Sequence, residues 1–377
     1  MGARAARGCG VKVVIHSAAT ELRGSERQAL LIATELARRG HEVVVSCDPR
    51  APFHQALARK DVRTTAVRPR GDFDPWNFAR FVLWLRRERP DALLLTTWRR
   101  IPTAALAGRA AGVPRVVLRL GIPRPIPARR DFRLAFRHWV DALIVNSPDV
   151  RDRFLASAPW FRHDRVHLVL NAVEPVLPGA APLRQELSVP SDARLVVSAG
   201  GLERRKGFDL LLEAFARLRD RRAWLAVAGD GPDADALRAK ADALGIGERV
   251  RFLGHRRDMP EVIASADVFV LASRKDSLAN VMLEAMALGV PVVATATGGV
   301  PLALRAADDA PPAGWIVPVR DADALAGALD EVLATLDADP SAVAARTEEA
   351  RRRVREWFSV ERMVDGVEAA LSPEPSR

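Results

Sequence analysis

Residues 267–299, "DVFVLASRKDSLANVMLEAMALGVPVVATATGG", decide the fold. "DVFVLAS" (267–273) is a short apolar run with β-branched residues and reads as a buried strand. "RKDSLAN" (274–280) is a polar loop, and "VMLEAMAL" (281–288) is built of good helix formers. Gly289 and Pro291 break the helix, after which "VPVVAT" resumes a strand. Strand, loop, helix and strand in that order make one unit of a parallel sheet with a right-handed crossover. Two carboxylates lie eight positions apart in it, Asp276 in the loop and Glu284 inside the apolar helix. A charge in a segment otherwise fit for a core demands a reason.

The same alternation extends in both directions. Upstream, "VKVVIH" (11–16), "EVVVSC" (42–47), "DALLLTT" (91–97), "RVVLRL" (115–120) and "ALIVNS" (142–147) read as strands with helical segments between them. One helix, "SERQALLIATELARRG" (25–40), ends in Arg38, Arg39 and a Gly40 cap. Residues 173–193 are rich in Pro and Ala and interrupt the rhythm, which restarts with "LVVSAG" (195–200), "AWLAVAG" (223–229) and "RVRFLG" (249–254). At 377 residues and 49% hydrophobic content the chain can fill two α/β cores. The expected domains are 1–175 and 176–355, with 356–377 as a C-terminal helix.

Charge divides along the same line. Residues 1–180 hold 31 Lys/Arg against 16 Asp/Glu, and the remainder 26 against 31. A basic half suits an anionic membrane surface or an acidic acceptor. Nucleic acid is not expected, because no finger, zipper or RNA-binding sheet motif is present and the chain has no tyrosine for base stacking. Cys9 and Cys47 are too few for a disulfide framework or a zinc site, which fits a reducing cytoplasm. The apolar run after the basic start is short and broken by Lys12, so no secretory signal is expected. The uncharged stretch Ala285–Leu304 is long enough to span a bilayer but carries three glycines and two prolines, which argues for a helix end, strand and loop.

In open α/β sheets, ligands bind beyond the carboxyl ends of the strands. After "LVVSAG" comes "GLERRKGFD", which sets Gly201, Arg204, Arg205 and Lys206 before a helix start. Charge and free helix N–H groups together suit a diphosphate. A solvated basic turn would look the same. Gly229, Gly231 and Ala234 mimic the dinucleotide pattern G-x-G-x-x-A. An NAD-dependent oxidoreductase would also need an acid after the following strand, where His255, Arg256 and Arg257 stand instead. Asp276 and Glu284 accept hydrogen bonds but cannot donate, so they suit sugar hydroxyls on either side of a diphosphate. A loop acid and a paired helix carboxylate are the plainer alternatives.

"GGLERRKGFDLLLEAF", "VAGDGPDADALRAKADALGIGERVRFLGHRRDMPEVIASADVFVLASR" and "LANVMLEAMALGVPVVATATGG" resemble the nucleotide-sugar domain of the family-four retaining glycosyltransferases. "ERQALLIATELARRGHEVVV" is similar to that family's first helix and second strand. The resemblance implies an α/β GT-B fold, two Rossmann-like domains with parallel sheets facing across a cleft, and a last helix returning to the first domain. It implies a hexosyltransferase that moves a sugar from a nucleotide-diphosphate donor to a glycan or lipid-linked acceptor in surface polysaccharide or lipopolysaccharide synthesis. The nucleotide sugar is a co-substrate, and neither cofactor nor metal is expected.

By the same resemblance Asp276, Lys206 and Glu284 are the catalytic set. Asp276 stands where the donor sugar's hydroxyls are held, Glu284 where the ribose is bound, and Lys206 where the diphosphate is neutralised. Ser277, Leu278, Ala279 and Asn280 open the helix beside the phosphates, and Gly24 and Ser25 match the loop after the first strand. Phe252 and His255 lie where the base packs, with Gly229 and Gly231 near them. The pattern is broken at Asp276 (a glutamate is usual), at Gly201 (an arginine is usual, leaving Arg204 or Arg205 to supply its charge) and at Leu120 (a histidine is usual, here with Arg119 beside it). The implied reaction is front-face substitution with retained configuration, the leaving diphosphate helping to deprotonate the acceptor. A non-catalytic binding module of the same fold is the remaining alternative. Arg119, Arg124, Arg129, Arg130, Arg133 and Trp139 belong to a basic, aromatic-interleaved stretch (119–142) suited to an acceptor or to anionic headgroups. The expected location is cytoplasmic, peripheral on the inner face of the cell membrane.

Overall fold

The computed structural model describes residues 10–69, 74–98, 100–122, 125–127, 129–174, 179, 183–305 and 311–372. The chain divides into two compact units, residues 1–171 with 360–377, and residues 172–359.

Among the described residues the first unit has seven strands: β1 (Lys12–His16), β2 (Glu42–Ser46), β3 (Arg63–Thr65), β4 (Ala92–Leu95), β5 (Arg115–Leu120), β6 (Ala142–Val145) and β7 (Val166–Leu168). They are parallel, in the order β3-β2-β1-β4-β5-β6-β7. The crossovers carry α1 (Gly24–Arg38), α2 (Pro52–Ala58), α3 (Pro75–Glu88), α4 (Ile101–Ala111), α5 (Arg130–Leu134) and α6 (Pro148–Ser157). Strands β1, β4, β5 and β6 are buried along their whole length, as helices on both faces of a parallel sheet require. Helix α1 turns Ala29, Ile32, Ala33 and Leu36 inward at helical spacing, and its start is tied by the Arg23 N–H donating to Glu26 Oε2 at 3.2 Å.

The second unit opens with α7 (Leu183–Glu186). Its strands are β8 (Leu195–Ala199), β9 (Trp224–Ala228), β10 (Val250–Gly254), β11 (Val268–Leu271), β12 (Val292–Thr295) and β13 (Trp315–Val317), parallel in the order β10-β9-β8-β11-β12-β13. Between and after them run α8 (Phe208–Arg217), α9 (Ala234–Ala243), α10 (Met259–Ala264), α11 (Asn280–Leu288), α12 (Val300–Leu304), α13 (Ala322–Ala338) and α14 (Pro340–Trp357). The quoted stretch is β11-loop-α11-β12, as its pattern indicates. In both sheets the winding reverses, between β1 and β4 and between β8 and β11, and such switch points are where open α/β sheets bind ligands.

The last helix, α15 (Val360–Leu371), belongs to the first unit and buries Met363, Val364, Val367, Ala370 and Leu371. A Cβ at Gly366 would come within 2.8 Å of Val169, so the helix lies close to the end of the sheet. Arg39 bonds Asp365 (2.6 Å) and Glu368 (2.7 Å), and His41 Nε2 meets Glu368 at 2.8 Å.

Two expectations need correction. Arg119 is not a surface cation, since it points into the first unit and is 4% exposed. In the 119–142 stretch the aromatics do not face outward. Phe132 and Phe136 are buried in the core against Trp98, Phe132 on α5 and Phe136 on a π-helical turn at Ala135–Trp139. What remains outside is Arg129, Arg130, Arg133 and Arg137 with Leu134 (47% exposed), while Trp139 is half-buried and Arg124 lies outside the described residues. Among the described residues no helix is long and apolar enough to cross a membrane.

Candidate active site

Two loops meet at the switch point of the second sheet. After β8, Gly200–Glu203 lead into a 3-10 turn, Arg204–Lys206, and Gly207 then starts α8. Gly207 has φ +71°, and a Cβ there would collide with the Ala272 carbonyl, so only glycine lets this turn lie against the end of β11. The Arg205 carbonyl accepts from the N–H groups of Arg274 (2.8 Å) and Lys275 (3.1 Å), which joins the two loops. Across this junction Lys206 Nζ donates to Asp276 Oδ2 at 2.6 Å, with the side chains only 14% and 13% exposed.

The 274–279 loop is held from its other side. The Asp276 N–H donates to Thr297 Oγ1 at 3.2 Å, Thr295 Oγ1 donates to the Ser273 carbonyl at 2.6 Å, and the Gly299 N–H reaches the Ser277 carbonyl. Gly298, at φ +55°, leaves no room for a Cβ against the Asp276 and Ser277 carbonyls. Ser277, Leu278 and Ala279 are buried, and α11 begins at Asn280. Its Met282, Leu283, Ala285 and Met286 are buried, whereas Asn280 and Glu284 are half-buried and share one stripe a turn apart. The charge inside the apolar helix therefore lies on the stripe that starts at the helix N-terminus, not in the core.

Lys206, Arg204, Arg205, Arg274 and Lys275 make the junction cationic. Arg274 is fixed by Asp209 (2.8 Å). Burial alone would raise the Asp209 carboxyl, but that guanidinium holds it below the usual carboxylate range. Arg205 pairs with Glu203 at 2.9 Å. A Cβ on Gly201 would come within 3.1 Å of the Glu203 carboxylate, so acid occupies the space that a side chain at 201 would enter. Arg204 is exposed.

Gly229 and Gly231 serve backbone packing. Gly229 (φ +132°) and Gly231 leave no room for a Cβ against the Gly200 and Leu202 main chain, and Leu202 N–H donates to the Asp230 carbonyl at 2.9 Å. That fit accounts for the glycine spacing without a dinucleotide. Phe252 is half-buried on edge strand β10 under Arg238, and exposed His255 donates its N–H to Asp230 Oδ2 at 3.1 Å. A cavity of about 570 Å³, lined by Arg184, Arg194, Asp267 and neighbours, opens at the amino ends of the strands, away from this junction. Its charges pair with one another, Arg194 with Asp267 at 3.1 Å.

In the first unit, Gly24 and Ser25 are exposed at the start of α1, and the Ser25 hydroxyl donates to Glu26 at 2.9 Å. Arg119 donates to Asn171 Oδ1 at 2.7 Å, which Asn146 Nδ2 also approaches at 3.2 Å. Burial pushes the Arg119 guanidinium down to about 10, with Glu26 pulling the other way. His16, at the end of β1, is buried against Phe81 with Nδ1 3.1 Å from Ser46 Oγ, and burial pushes its imidazole down to about 4. Ser273, Thr295, Thr297, Asn146 and Asn171 were not singled out from sequence. The local signal for Thr295 and Thr297 was the "TATGG" (295–299) that begins at the last residue of β12.

The Glycosyltransferase Family 4 model matches residues 22–177 and the Glycosyl transferases group 1 model residues 181–352. The chain is 32% identical over 359 residues to the lipopolysaccharide core biosynthesis glycosyltransferase LpsE of Rhizobium meliloti, covering 93% of this chain and 96% of that protein. It belongs to glycosyltransferase family 4. Among solved structures, this transferase superposes on Anabaena HepE, crystallised with UDP and glucose, with a TM-score of 0.82 at 21% identity, over 96% and 99% of the two chains. WaaG, a glycosyltransferase involved in lipopolysaccharide biosynthesis, gives 0.62 at 19% identity, over 95% and 98%. The fold of the transferase is GT-B, two Rossmann-like domains with parallel sheets.

Proposed function

We propose that the transferase takes a hexose from a nucleotide-diphosphate sugar and passes it, with retention at the anomeric carbon, to a glycan or lipid-linked acceptor in the synthesis of lipopolysaccharide or a related surface polysaccharide. The observation that carries this reading is the Lys206–Asp276 junction at the β8/β11 switch point, beside the N-terminus of α11, where Asn280 lies one turn from Glu284. Relatives named for lipopolysaccharide core biosynthesis support the acceptor class, and neighbours crystallised with UDP and UDP-glucose support the donor class.

In this mechanism the diphosphate lies against Lys206 and the α11 amides, and Glu284 accepts from the ribose hydroxyls. As the glycosidic bond breaks, charge grows on the departing diphosphate. Lys206, helped by Arg204 and Arg205, stabilises that charge more in the transition state than in the ground state. Side chains and helix amides do this work in place of a metal. The acceptor side is the basic first unit, whose exposed Arg129, Arg130, Arg133 and Arg137 suit an anionic membrane face on the cytoplasmic side.

A thermal-shift screen with UDP, GDP, ADP, their common sugar conjugates and NAD tests this, because preferential binding raises the melting temperature by mass action. One nucleotide sugar should raise it, and the rise should vanish in Glu284→Ala and in Lys206→Ala. A rise with NAD alone, or with none of the nucleotides, sinks the reading.

A further inference from the structure

Helix α3 buries Phe81, Val82 and Leu85 toward the sheet. Its exposed Trp76, Arg80, Leu83 and Arg87 recur at i, i+4, i+7 and i+11, which makes one stripe along the outer side. Trp76 is 85% exposed and Leu83 54%. Helix α4 packs against both α3 and α5, and each adds one exposed leucine to the same face, Leu106 and Leu134. The arginines of this face are uncommitted. Arg80, Arg87, Arg130, Arg133 and Arg137 are exposed and meet no acid among the described residues. The acids of these helices are already taken, Glu88 by Lys12 and Arg63, and Asp131 by Arg129.

The other face, where α1 packs on α2 and α15, is built in the opposite way. Among the described residues no large apolar side chain is exposed on those helices, and Arg38 and Arg39 are paired with Glu35, Asp365 and Glu368. A single exposed apolar residue is ordinary. Apolar side chains set among unpaired arginines on one face, and missing from the other, suit a lipid interface, where apolar groups enter the acyl boundary and cations meet headgroups.

We propose that the α3–α4–α5 face of the first unit docks on an anionic bilayer, with Trp76 and Leu83 inserted and Arg80 and Arg87 on the headgroups. This deepens the membrane side of the proposed function. Helix α3 follows β3 and α5 follows β5, so their first turns, with Trp76 and Arg130, lie toward the carboxyl edge of the sheet. A lipid-linked acceptor then reaches that edge without leaving its membrane. That last step rests on the acceptor reading, whereas the docking itself does not.

The test is co-sedimentation of the full chain with vesicles of phosphatidylcholine, or of an equal mixture of phosphatidylcholine and phosphatidylglycerol, at low salt. The wild type should bind the mixed vesicles only. Arg80→Gln with Arg87→Gln should weaken that binding about thirtyfold, and Arg80→Lys with Arg87→Lys should retain it. Trp76→Ala with Leu83→Ala should weaken it about tenfold. Arg38→Gln with Arg59→Gln removes the same charge from the other face and should leave binding near the wild-type level. At saturating vesicles the tryptophan emission should shift to the blue, and Trp76→Ala should reduce the shift. A wild type that binds no vesicle overturns the proposal, as do equal losses from the two faces or full binding by Trp76→Ala with Leu83→Ala. A wild-type dimer in light scattering that this last variant turns into a monomer gives the face to a second copy and overturns it too. The thermal shift with nucleotide sugars is a separate readout: lost docking with the shift intact overturns this proposal alone, and docking without the shift overturns only the donor reading.

Discussion

The two sheets wind in the same order, 3-2-1-4-5-6 with one further strand in the first unit, yet their carboxyl edges are built differently. In the second unit the edge is backbone against backbone, with glycines at positive φ letting loops touch, and two ion pairs across the junction, Lys206 with Asp276 and Arg274 with Asp209. In the first unit the edge is filled with buried polar side chains, His16 with Ser46 and Arg119 with Asn146 and Asn171. Close main-chain packing leaves no tolerance at a few positions and little titration. Buried polar packing tolerates exchange of shape but responds to pH and to the loss of a partner.

Breaking the first kind of edge should cost most. Gly229→Val adds side chain against the Gly200 carbonyl at φ +132°, so a loss of about 4 kcal/mol or more is expected, read as a lowered urea midpoint, with nucleotide binding lost alongside. The second kind should show in pH. His16 carries a folded-state value of about 4 against an ordinary value near 6.5, so below pH 6.5 the unfolded chain binds the extra proton. Stability is therefore full above pH 6.5 and falls as the pH drops toward 4, by about 3 kcal/mol at most. His16→Gln should flatten that limb in calorimetric melts, and an unchanged limb would remove His16 from the account. The smallest effect separates partner from charge. Asn171→Ala leaves the buried Arg119 guanidinium short of an acceptor and should cost about 2 kcal/mol, while Arg119→Met should cost less, because an apolar side chain of similar length needs no partner. Equal losses in denaturant titrations of the two variants would show that shape, not polarity, holds this edge.

These contrasts explain what the sequence could and could not disclose. The β-branched runs of β1, β8, β11 and β12 and the breaks at Gly289 and Pro291 were legible, because burial on both faces of a parallel sheet writes itself as continuous apolar residues. The three-residue strands β3, β7 and β13, "RTT", "VHL" and "WIV", were not, since so short a strand has no pattern of its own and forms on the template of its neighbour. The junction lysine and acids were legible by their loops. That Lys206 and Asp276 would bond each other, seventy residues apart, required the strand order. The basic 119–142 stretch misled because its aromatics alternate with arginines in sequence, whereas the π-turn rotates Phe136 inward.

The return of α15 to the first unit has a consequence for biosynthesis. The strands of that unit are made before the second unit, but the helix that covers β5, β6 and β7 is made after the whole of it. Domains generally fold in the order in which they leave the ribosome. Here the second unit can close while the first still waits with Arg39, His41 and Val169 uncovered. A messenger or protein cut short before α15 would spare every residue of the Lys206–Asp276 junction and still leave the other unit unfinished.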